Sequence, residues 1–266
     1  MLAGLHRFLG IALGLCLTMV NVQAGSFSLV GTGDGVVVLR ALAESYAAAN
    51  PGHRVEVPAS IGSGGGIAGV GSDREIIARV ARDLKPNEIA SGLFYEPLFD
   101  ISSVFFVHPG VPVDNLTSEQ IQGIFTGKIT NWREIGGPDM RIRVVRREDA
   151  DSTVLVFRES LPAFHDLKFT ERSKLALTTQ EAILSVTENP GAIGFGPLSD
   201  IRETGLKALA VDGVPPSDPA YPSAVKIAAV YKPQRLTDDV RRFLAFLRTP
   251  EAIRIVRSFG AHPRVR

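Results

Sequence analysis

The chain has 266 residues, which is enough for one large domain or for two domains of ordinary size. Hydrophobic residues make up 45% of it and charged residues 21%, a composition that excludes a disordered chain and a coiled coil. Lysine and arginine total 29 against 28 acidic residues, which argues against a nucleic-acid-binding protein, and the single cysteine excludes an internal disulfide and a cysteine-rich zinc site.

The first segment has the features of an export signal. A short basic start ending at Arg7 precedes the apolar residues 8–20, and small residues follow at Val22 and Ala24. This order predicts a secretory signal peptide over residues 1–24, cut after Ala24, because the apolar stretch is too short for a membrane-spanning helix. Lipid attachment at Cys16 is the alternative, although the residue before that cysteine is a leucine and not a small residue.

The rest of the chain alternates between strand and helix patterns, which indicates an α/β fold. In chain order, the first half predicts a strand over residues 26–30, a helix with apolar residues from 39 to 46, and strands over 54–58 and 103–107. The second half predicts a helix over 118–125, a strand over 141–146, helices after 153 and after 178, a strand over 225–231, and helices over 240–247 and from 250.

Two of these helices begin with capping signals. Thr117 with Gln120 and Thr178 with Glu181 have the spacing of a capping box, in which each side chain binds the other residue's backbone amide. A third helix opens at Pro250, directly after a threonine, and proline is favoured at a first helical position.

Three turns that follow predicted strands carry the polar chemistry, namely residues 31–35, 61–66 and 149–153. Glycine-rich turns leave amide groups uncovered, and a helix N-terminus adds free donors and partial positive charge, so such turns bind anions. Hydroxyl groups at Ser63, Ser152 and Thr153 add further donors, and Arg147 can bind an oxyanion through two parallel N–H groups. The alternative is that these are ordinary turns whose polar residues cap helices.

Two catalytic or cofactor motifs are excluded by their spacing. Residues 31–35 do not have the Gly-x-Gly-x-x-Gly spacing of a dinucleotide-binding fingerprint. Ser63 lies in Gly-Ser-Gly and therefore outside the Gly-x-Ser-x-Gly elbow of a hydrolase nucleophile. The five histidines are scattered, so we expect no metal site and no bound cofactor.

Several segments resemble one family when they are taken in order. They are Leu-Val-Gly-x-Gly at 29–33, Ile-Gly-Ser-Gly-Gly-Gly at 61–66, Leu-Thr-Ser-Glu-Gln-Ile-x-x-Ile-Phe-x-Gly-Lys-Ile-Thr-Asn-Trp at 116–132, Val-Arg-Arg-x-Asp at 145–149 and Gly-Ala-Ile-Gly-Phe-Gly at 191–196. Together they resemble the substrate-binding proteins of phosphate ABC transporters, the PstS-like branch of the periplasmic binding proteins. The resemblance covers almost all of the chain after residue 24.

The resemblance implies a two-lobe α/β fold of the periplasmic-binding-protein type (type II), with the ligand in a cleft between the lobes. The first lobe would comprise residues 25–101 and 226–266, and the second residues 102–225. The ligand-binding residues carried over from the family are Asp34, Gly35, Ser63, Gly64, Arg147, Asp151, Ser152 and Thr153. Trp132 and the phenylalanines at 99, 105 and 106 are expected in the core.

The chain departs from the family at three points, and in the first turn Asp34 and Gly35 stand where a hydroxyl residue is common. The family usually has Gly-Ser-Gly-Thr in the third turn, where this chain has Ala-Asp-Ser-Thr at 150–153, and the family's cleft aspartate aligns with Ala81. A carboxylate repels an oxyanion but accepts a hydrogen bond from a protonated one. We therefore hypothesise that Asp151 or Asp34 takes the role of the family's aspartate.

The resulting prediction is an exported, periplasmic and monomeric binding protein that captures a small oxyanion, with phosphate first, for the membrane permease of an ABC importer without catalysis. Three alternatives remain open. The first two are the same fold with an altered ligand or with none, which would serve as a sensor or as a surface adhesin. The third is an exported hydrolase of phosphate esters with Asp151 or Ser63 as its nucleophile.

Overall fold

The structure is a computed structural model that describes residues 25–218 and 220–264. The predicted signal peptide and Cys16 lie outside the described residues. The strands are β1 (Gly25–Ser28), β2 (Val30–Gly31), β3 (His53–Glu56), β4 (Ile77–Val80), β5 (Phe94–Val107), β6 (Asn115–Leu116), β7 (Arg143–Arg146), β8 (Lys174–Leu175), β9 (Ala192–Pro197), β10 (Lys207–Ala208), β11 (Ala210–Val211), β12 (Ala224–Tyr231) and β13 (His262–Pro263). The α-helices are α1 (Val36–Ala49), α2 (Gly62–Gly71), α3 (Pro86–Ala90), α4 (Ser118–Thr126), α5 (Ser152–Ser160), α6 (Thr179–Thr187), α7 (Leu198–Ile201), α8 (Asp238–Phe246) and α9 (Pro250–Ser258).

One long strand organises the main sheet, whose order is β2-β4-β12-β5-β9-β7-β8. The 14-residue β5 pairs antiparallel with β12 up to Ser102 and antiparallel with β9 from Ser103 onwards. Parallel pairs complete the sheet on both sides. On one side β2 pairs with β4, and on the other side β7 pairs with both β9 and β8. The sheet therefore continues through β5 from one lobe into the other, and the predicted α/β architecture is confirmed.

Buried side chains form two large hydrophobic cores, one in each lobe. The core of the first lobe contains buried residues from 29 to 101 and from 225 to 261, and that of the second lobe contains residues from 104 to 221. Phe99 belongs to the first core, whereas Phe105, Phe106 and Trp132 belong to the second, and all four are at most 1% exposed. A smaller cluster packs α2 against β4 and β12 in the first lobe.

Some predicted strands differ from the observed ones. The strand predicted over 26–30 is split into β1 and β2, which pair in different sheets. The strand predicted over 103–107 is only the last part of β5. The first part was not predicted, because Pro97 and two acidic residues weaken the strand pattern there. The pairing of β5 with β12 shifts by one residue beside Pro97, and an irregular site of this kind tolerates a proline within a sheet.

The structure confirms one capping box and corrects the other. Thr117 accepts a hydrogen bond from the Gln120 amide at 3.2 Å, and the Thr117 amide donates to the Gln120 side chain at 2.9 Å. Thr178 accepts from the Glu181 amide at 3.1 Å, but the Glu181 carboxylate accepts from the amide of Leu177 at 2.8 Å. The second capping box is therefore wrong in one of its two hydrogen bonds, because the Glu181 carboxylate binds the amide of Leu177 and not that of Thr178. No helix among residues 25–218 and 220–264 is both long enough and apolar enough to cross a membrane.

Candidate functional site

The first-lobe turn before α1 delivers a buried carboxylate to the boundary between the lobes. Asp34 is 1% exposed, and both of its oxygens accept hydrogen bonds from hydroxyl groups of the second lobe. Thr179 donates to Oδ1 at 2.7 Å, and Thr153 donates to Oδ2 at 3.3 Å. Asp34 therefore connects the first turn of α5 and the first turn of α6 to the first lobe.

A pair of serines makes a second connection between the lobes. The Oγ atoms of Ser63 on α2 and Ser152 on α5 lie 2.9 Å apart, and both side chains are buried. Ser63 Oγ also accepts a hydrogen bond from the amide of Ala81 at 3.0 Å. The glycine-rich segment 61–66 is a helix start and not a turn before one, because α2 begins at Gly62. Ser63 therefore lies in the first turn of the helix.

Arg147 is a buried cation on the second-lobe side of this boundary, with 7% of its surface exposed. Its Nη2 atom lies 2.5 Å from an Asp151 carboxylate oxygen and 3.2 Å from the carbonyl oxygen of Leu177. Its Nη1 atom donates to the Thr179 hydroxyl at 3.1 Å. The Nε atom is buried with no hydrogen-bond partner among the described residues, which leaves one charged N–H donor free.

Asp151 is both the partner of Arg147 and the N-cap of α5. Its Oδ1 atom accepts a hydrogen bond from the amide of Thr153 at 3.0 Å, the arrangement expected of an aspartate at a helix start. Burial raises the pKa of Asp151 to about 6, and the nearby charge of Asp34 acts in the same direction, while Arg147 opposes both. The carboxyl group is therefore able to hold a proton in mildly acidic solution.

A second carboxylate from α7 faces the start of α1. Asp200 Oδ2 accepts hydrogen bonds from the amide of Gly35 at 3.1 Å and from the hydroxyl of Ser199 at 2.8 Å. Gly35 is the N-cap of α1 and has a φ of 70°, a left-handed conformation that favours glycine. Burial raises the pKa of Asp200 to about 7, and the charge of Asp34 adds to the shift.

The structure brings most of the predicted residues together. Seven of them take part in three separate sets of hydrogen bonds at the lobe boundary: Asp34, Arg147, Asp151 and Thr153 in one, Ser63 and Ser152 in another, and Gly35 with Asp200 in the third. Gly64 is exposed in the first turn of α2, and a Cβ placed on it would have no atom within 4 Å, so its only contribution to a site is its backbone. The binding roles of all eight residues stay predictions.

Three further residues at the lobe boundary were missed by sequence reasoning. Thr179 links Asp34 to Arg147, Gln180 donates to the Gly33 carbonyl oxygen at 3.2 Å, and Asp200 binds the start of α1. The cap at Thr178 carried a signal for the first two, because it marks a helix N-terminus with polar residues in its first turn. Asp200 lies three residues after the proline that ends a buried strand, but its partner at Gly35 is distant in sequence.

The site therefore combines donors with several acceptors. Hydroxyl groups, a helix N-terminus and the free Nε atom of Arg147 can hold an oxyanion, whereas Asp34 and Asp151 can accept hydrogen bonds from a guest that carries protons. In the part of the chain that the structure describes, no group of three or more histidine, cysteine, aspartate or glutamate residues has the arrangement of a metal site.

Comparison with known proteins identifies relatives of one kind. Residues 21–248 match a family model described as a PBP superfamily domain. The chain is 30% identical over 197 residues to the phosphate-binding protein PstS of Bacillus subtilis (strain 168), which covers 73% of this chain and 64% of that protein. It is 28% identical to the PstS of Borreliella burgdorferi over 59% of each chain, so it spans less than two thirds of the length of either curated relative.

Solved structures extend the similarity to the whole described fold. The chain is similar to a putative phosphate ABC transporter substrate-binding protein with bound phosphate from Clostridium perfringens, with a TM-score of 0.81 and 31% identity over 90% of this chain and 99% of that one. It is also similar to an ABC-type phosphate transport receptor from Vibrio cholerae, with a TM-score of 0.66 and 25% identity over 90% and 100% of the two chains. These similarities confirm the predicted two-lobe fold.

Proposed function

The chain belongs to the PBP superfamily, and on that premise we propose that it captures a small oxyanion, with phosphate first, in the cleft between its lobes. The observation that carries this proposal is the meeting of groups from both lobes at one buried point, where the second-lobe donors Thr153 and Thr179, the latter bound by Arg147, meet the first-lobe carboxylate of Asp34. The relatives' names, which state phosphate binding, support the choice of phosphate.

The division of the chain into lobes is part of the proposal. The boundary would lie near residues 101 and 102 in β5 and near residues 225 and 226 in β12. The gap between the two large cores supports it, because the buried residues of one core end at 101 and those of the other begin at 104. The return crossing is supported in the same way by the interval from 221 to 225.

Capture would work through closure of the two lobes on the ligand. An open form exposes half of the site on each lobe, and a ligand that contacts both halves favours the closed form by its higher affinity for it. In this scheme Arg147, Ser152 and Thr153 supply donors from the second lobe, while Ser63 and the start of α1 supply groups from the first. The membrane permease of an ABC importer would then recognise the closed form. Export to the periplasm and a monomeric state belong to the same proposal.

The proposal includes no catalysis. A serine nucleophile needs a neighbouring base, and the hydrogen-bond partners of Ser63 Oγ are the hydroxyl of Ser152 and the amide of Ala81. Asp151 is held by Arg147 and by its own helix, so its oxygens already serve as acceptors. These contacts support a role in binding for both side chains.

The carboxylates of the cleft favour a second candidate, namely the same fold with a different solute. Asp34 is buried and the Asp151 side chain is only 12% exposed, so a fully deprotonated oxyanion beside them would be repelled. We propose that they accept hydrogen bonds from a protonated anion. A protonated oxyanion other than phosphate, such as the methylphosphonate monoanion, would satisfy the same groups.

Titration calorimetry of the protein against phosphate, sulfate, molybdate and methylphosphonate, at pH 6 and pH 8, tests both candidates. Tight binding of phosphate with weak binding of sulfate supports phosphate capture, because sulfate has no proton to donate in this range. Tight binding of methylphosphonate alone would favour the second candidate. No heat and no shift of the melting temperature with any of the four anions would contradict the proposal of an oxyanion ligand.

A further inference from the structure

A buried arginine lies beneath the two first-lobe segments that lead to the candidate site. Arg79 on β4 is 0% exposed and is among the largest fully buried side chains of the described residues. No acidic side chain of the described residues forms a salt bridge with it, and its hydrogen bonds go to backbone carbonyl oxygens. Burial lowers the pKa of Arg79 to about 10, so the guanidinium remains charged at neutral pH.

Those carbonyl oxygens come from two separate stretches of chain. Nε donates to the carbonyl oxygen of Thr32 at 2.7 Å, Nη2 donates to that of Pro58 at 2.8 Å, and Nη1 donates to that of Leu29. The planar guanidinium has five donors in a fixed arrangement, so it orients several acceptors at once. A charged donor also makes each bond stronger than a neutral one would be.

The backbone of Arg79 holds the same turn from a second direction. The Thr32 amide donates to the Arg79 carbonyl oxygen at 3.1 Å, so both polar groups of this threonine's backbone bind one residue. At Gly31, with a φ of 133°, a Cβ would lie 1.9 Å from that carbonyl oxygen. The turn between β2 and α1 therefore lies directly against Arg79.

The two held segments each deliver one of the connections between the lobes. Asp34 follows Thr32 by two residues and binds the hydroxyls of the second lobe. Ser63 follows the segment that starts at Pro58, and the Ile61 amide of that segment donates to the Gly31 carbonyl oxygen at 3.0 Å. A short stretch of backbone therefore links Arg79 to each of the two connections.

We propose that Arg79 is a positioning residue of the binding site, which sets the conformation of residues 29–34 and 58–63 and through them the affinity for the ligand. Nothing in the sequence pattern marked it, because an arginine within a buried strand has no motif of its own. This inference rests on the proposed function for its binding consequence, while its effect on the two segments is independent of any ligand.

Three variants test it, with inorganic phosphate as the probe. Arg79→Met keeps a long unbranched side chain and removes every donor, and Arg79→Lys keeps the charge but not the planar set of donors. Val240→Ala in α8 is the matched control, because Val240 is equally buried in the first lobe but its side chain has no hydrogen-bonding group. Affinity is measured by calorimetry well below each melting temperature, and hydrogen exchange is followed in peptides that cover residues 29–34 and 58–63.

We expect phosphate to bind about tenfold or more weakly to Arg79→Met, with an intermediate loss for Arg79→Lys, and within about twofold of the natural protein for Val240→Ala. We also expect faster exchange in both segments of Arg79→Met than in Val240→Ala at matched stability. Unchanged affinity with unchanged exchange would overturn the positioning role and leave the proposed function intact.

If the natural protein does not bind phosphate, the proposed function fails, and the exchange data alone decide the role of Arg79. If both segments exchange as slowly in Arg79→Met as in the natural protein, the positioning role of Arg79 would then be overturned. If Arg79→Met does not fold, Arg79→Lys is compared with the control in the same two measurements. Natural affinity and natural exchange in that variant would overturn the inference.

Discussion

The Arg147 guanidinium and the Asp151 carboxylate form an ion pair within one turn of chain, with Nη2 and Oδ2 2.5 Å apart. Both side chains are nearly inaccessible to solvent, at 8% and 12% exposure. The pair neutralises the charge that an oxyanion would otherwise meet at Arg147, while the Nε atom of the arginine remains free. The selectivity of the site should therefore depend on whether Asp151 carries its charge.

The first prediction concerns Asp151→Asn. Asparagine caps helices as well as aspartate does, so α5 should keep its start, while one negative charge leaves the cleft. We expect sulfate affinity to rise by about tenfold or more. Phosphate affinity should change less, because the substitution removes a repelling negative charge but also removes the carboxylate that accepts a hydrogen bond from protonated phosphate. Calorimetry with both anions measures the ratio of the two dissociation constants.

Asp149→Asn is the matched control for that charge, because Asp149 pairs with Arg158 and its side chain is 70% exposed. Its phosphate-to-sulfate ratio should equal that of the natural protein. If the ratio of Asp151→Asn also stays unchanged, Asp151 does not discriminate between the two anions, and Asp34 becomes the candidate for that role.

The second prediction concerns Thr179, whose hydroxyl donates to Asp34 and accepts from Arg147. Thr179→Val keeps the shape of the side chain but leaves two buried polar groups without a partner, at a cost of about 1–3 kcal/mol in the free energy of unfolding. We also expect weaker phosphate binding. Thr179→Ser keeps the hydroxyl and should retain most of the affinity. Equal affinity of the valine and threonine proteins would show that this hydroxyl does not organise the site.

The fold could be predicted from sequence to the extent that local signals determine it. The helix starts at Thr117 and Thr249 were correct because the capping residues and the helix lie next to each other in the chain. The length of β5 could not be predicted, because Pro97 is tolerated only through an irregular pairing with a strand more than a hundred residues away. A pairing between strands that are so far apart in the chain produces no local sequence pattern.

The residues of the site also divide into those that a local sequence pattern marks and those that it does not. Arg147, Ser152 and Thr153 were found because Arg147 lies just before the polar turn that holds the two hydroxyl residues. Asp200 and Arg79 were not, because their roles come from backbone groups of distant segments, the amide of Gly35 and the carbonyl oxygens around Thr32. Any residue type can offer these backbone groups, so the sequence gives no sign of them.

The third prediction compares two glycines near the site. Gly31→Ala would place a Cβ 1.9 Å from a backbone oxygen at a φ of 133°, so we expect a loss of about 2 kcal/mol or more of folding free energy. Gly64→Ala adds a methyl group in open space within a helix, which should stabilise the protein by roughly 0.5–1 kcal/mol. Urea denaturation measures both values. A neutral Gly31→Ala would contradict the close approach of the first turn to β4.

Phosphate titration of the same two variants tests the prediction made for Gly64. A role for this residue through its backbone amide predicts natural affinity in Gly64→Ala, because alanine keeps the amide. A large loss of affinity in that folded variant would show that the space above Gly64 is occupied by the ligand.

The last prediction concerns pH and the buried Asp200, whose pKa is raised from 3.8 to about 7. Between about pH 4 and pH 7 the folded protein holds a proton that the unfolded chain has lost, so stability should fall as the pH rises through this window. The loss is on the order of 1.4 kcal/mol for each unit of the shift, and Asp151 adds to it up to about pH 6. Asp200→Asn cannot titrate, so its unfolding free energy, measured in urea at each pH, should fall less steeply than that of the natural protein. Parallel curves for the two proteins from pH 4 to pH 7 would show that Asp200 stays ionised in the folded state.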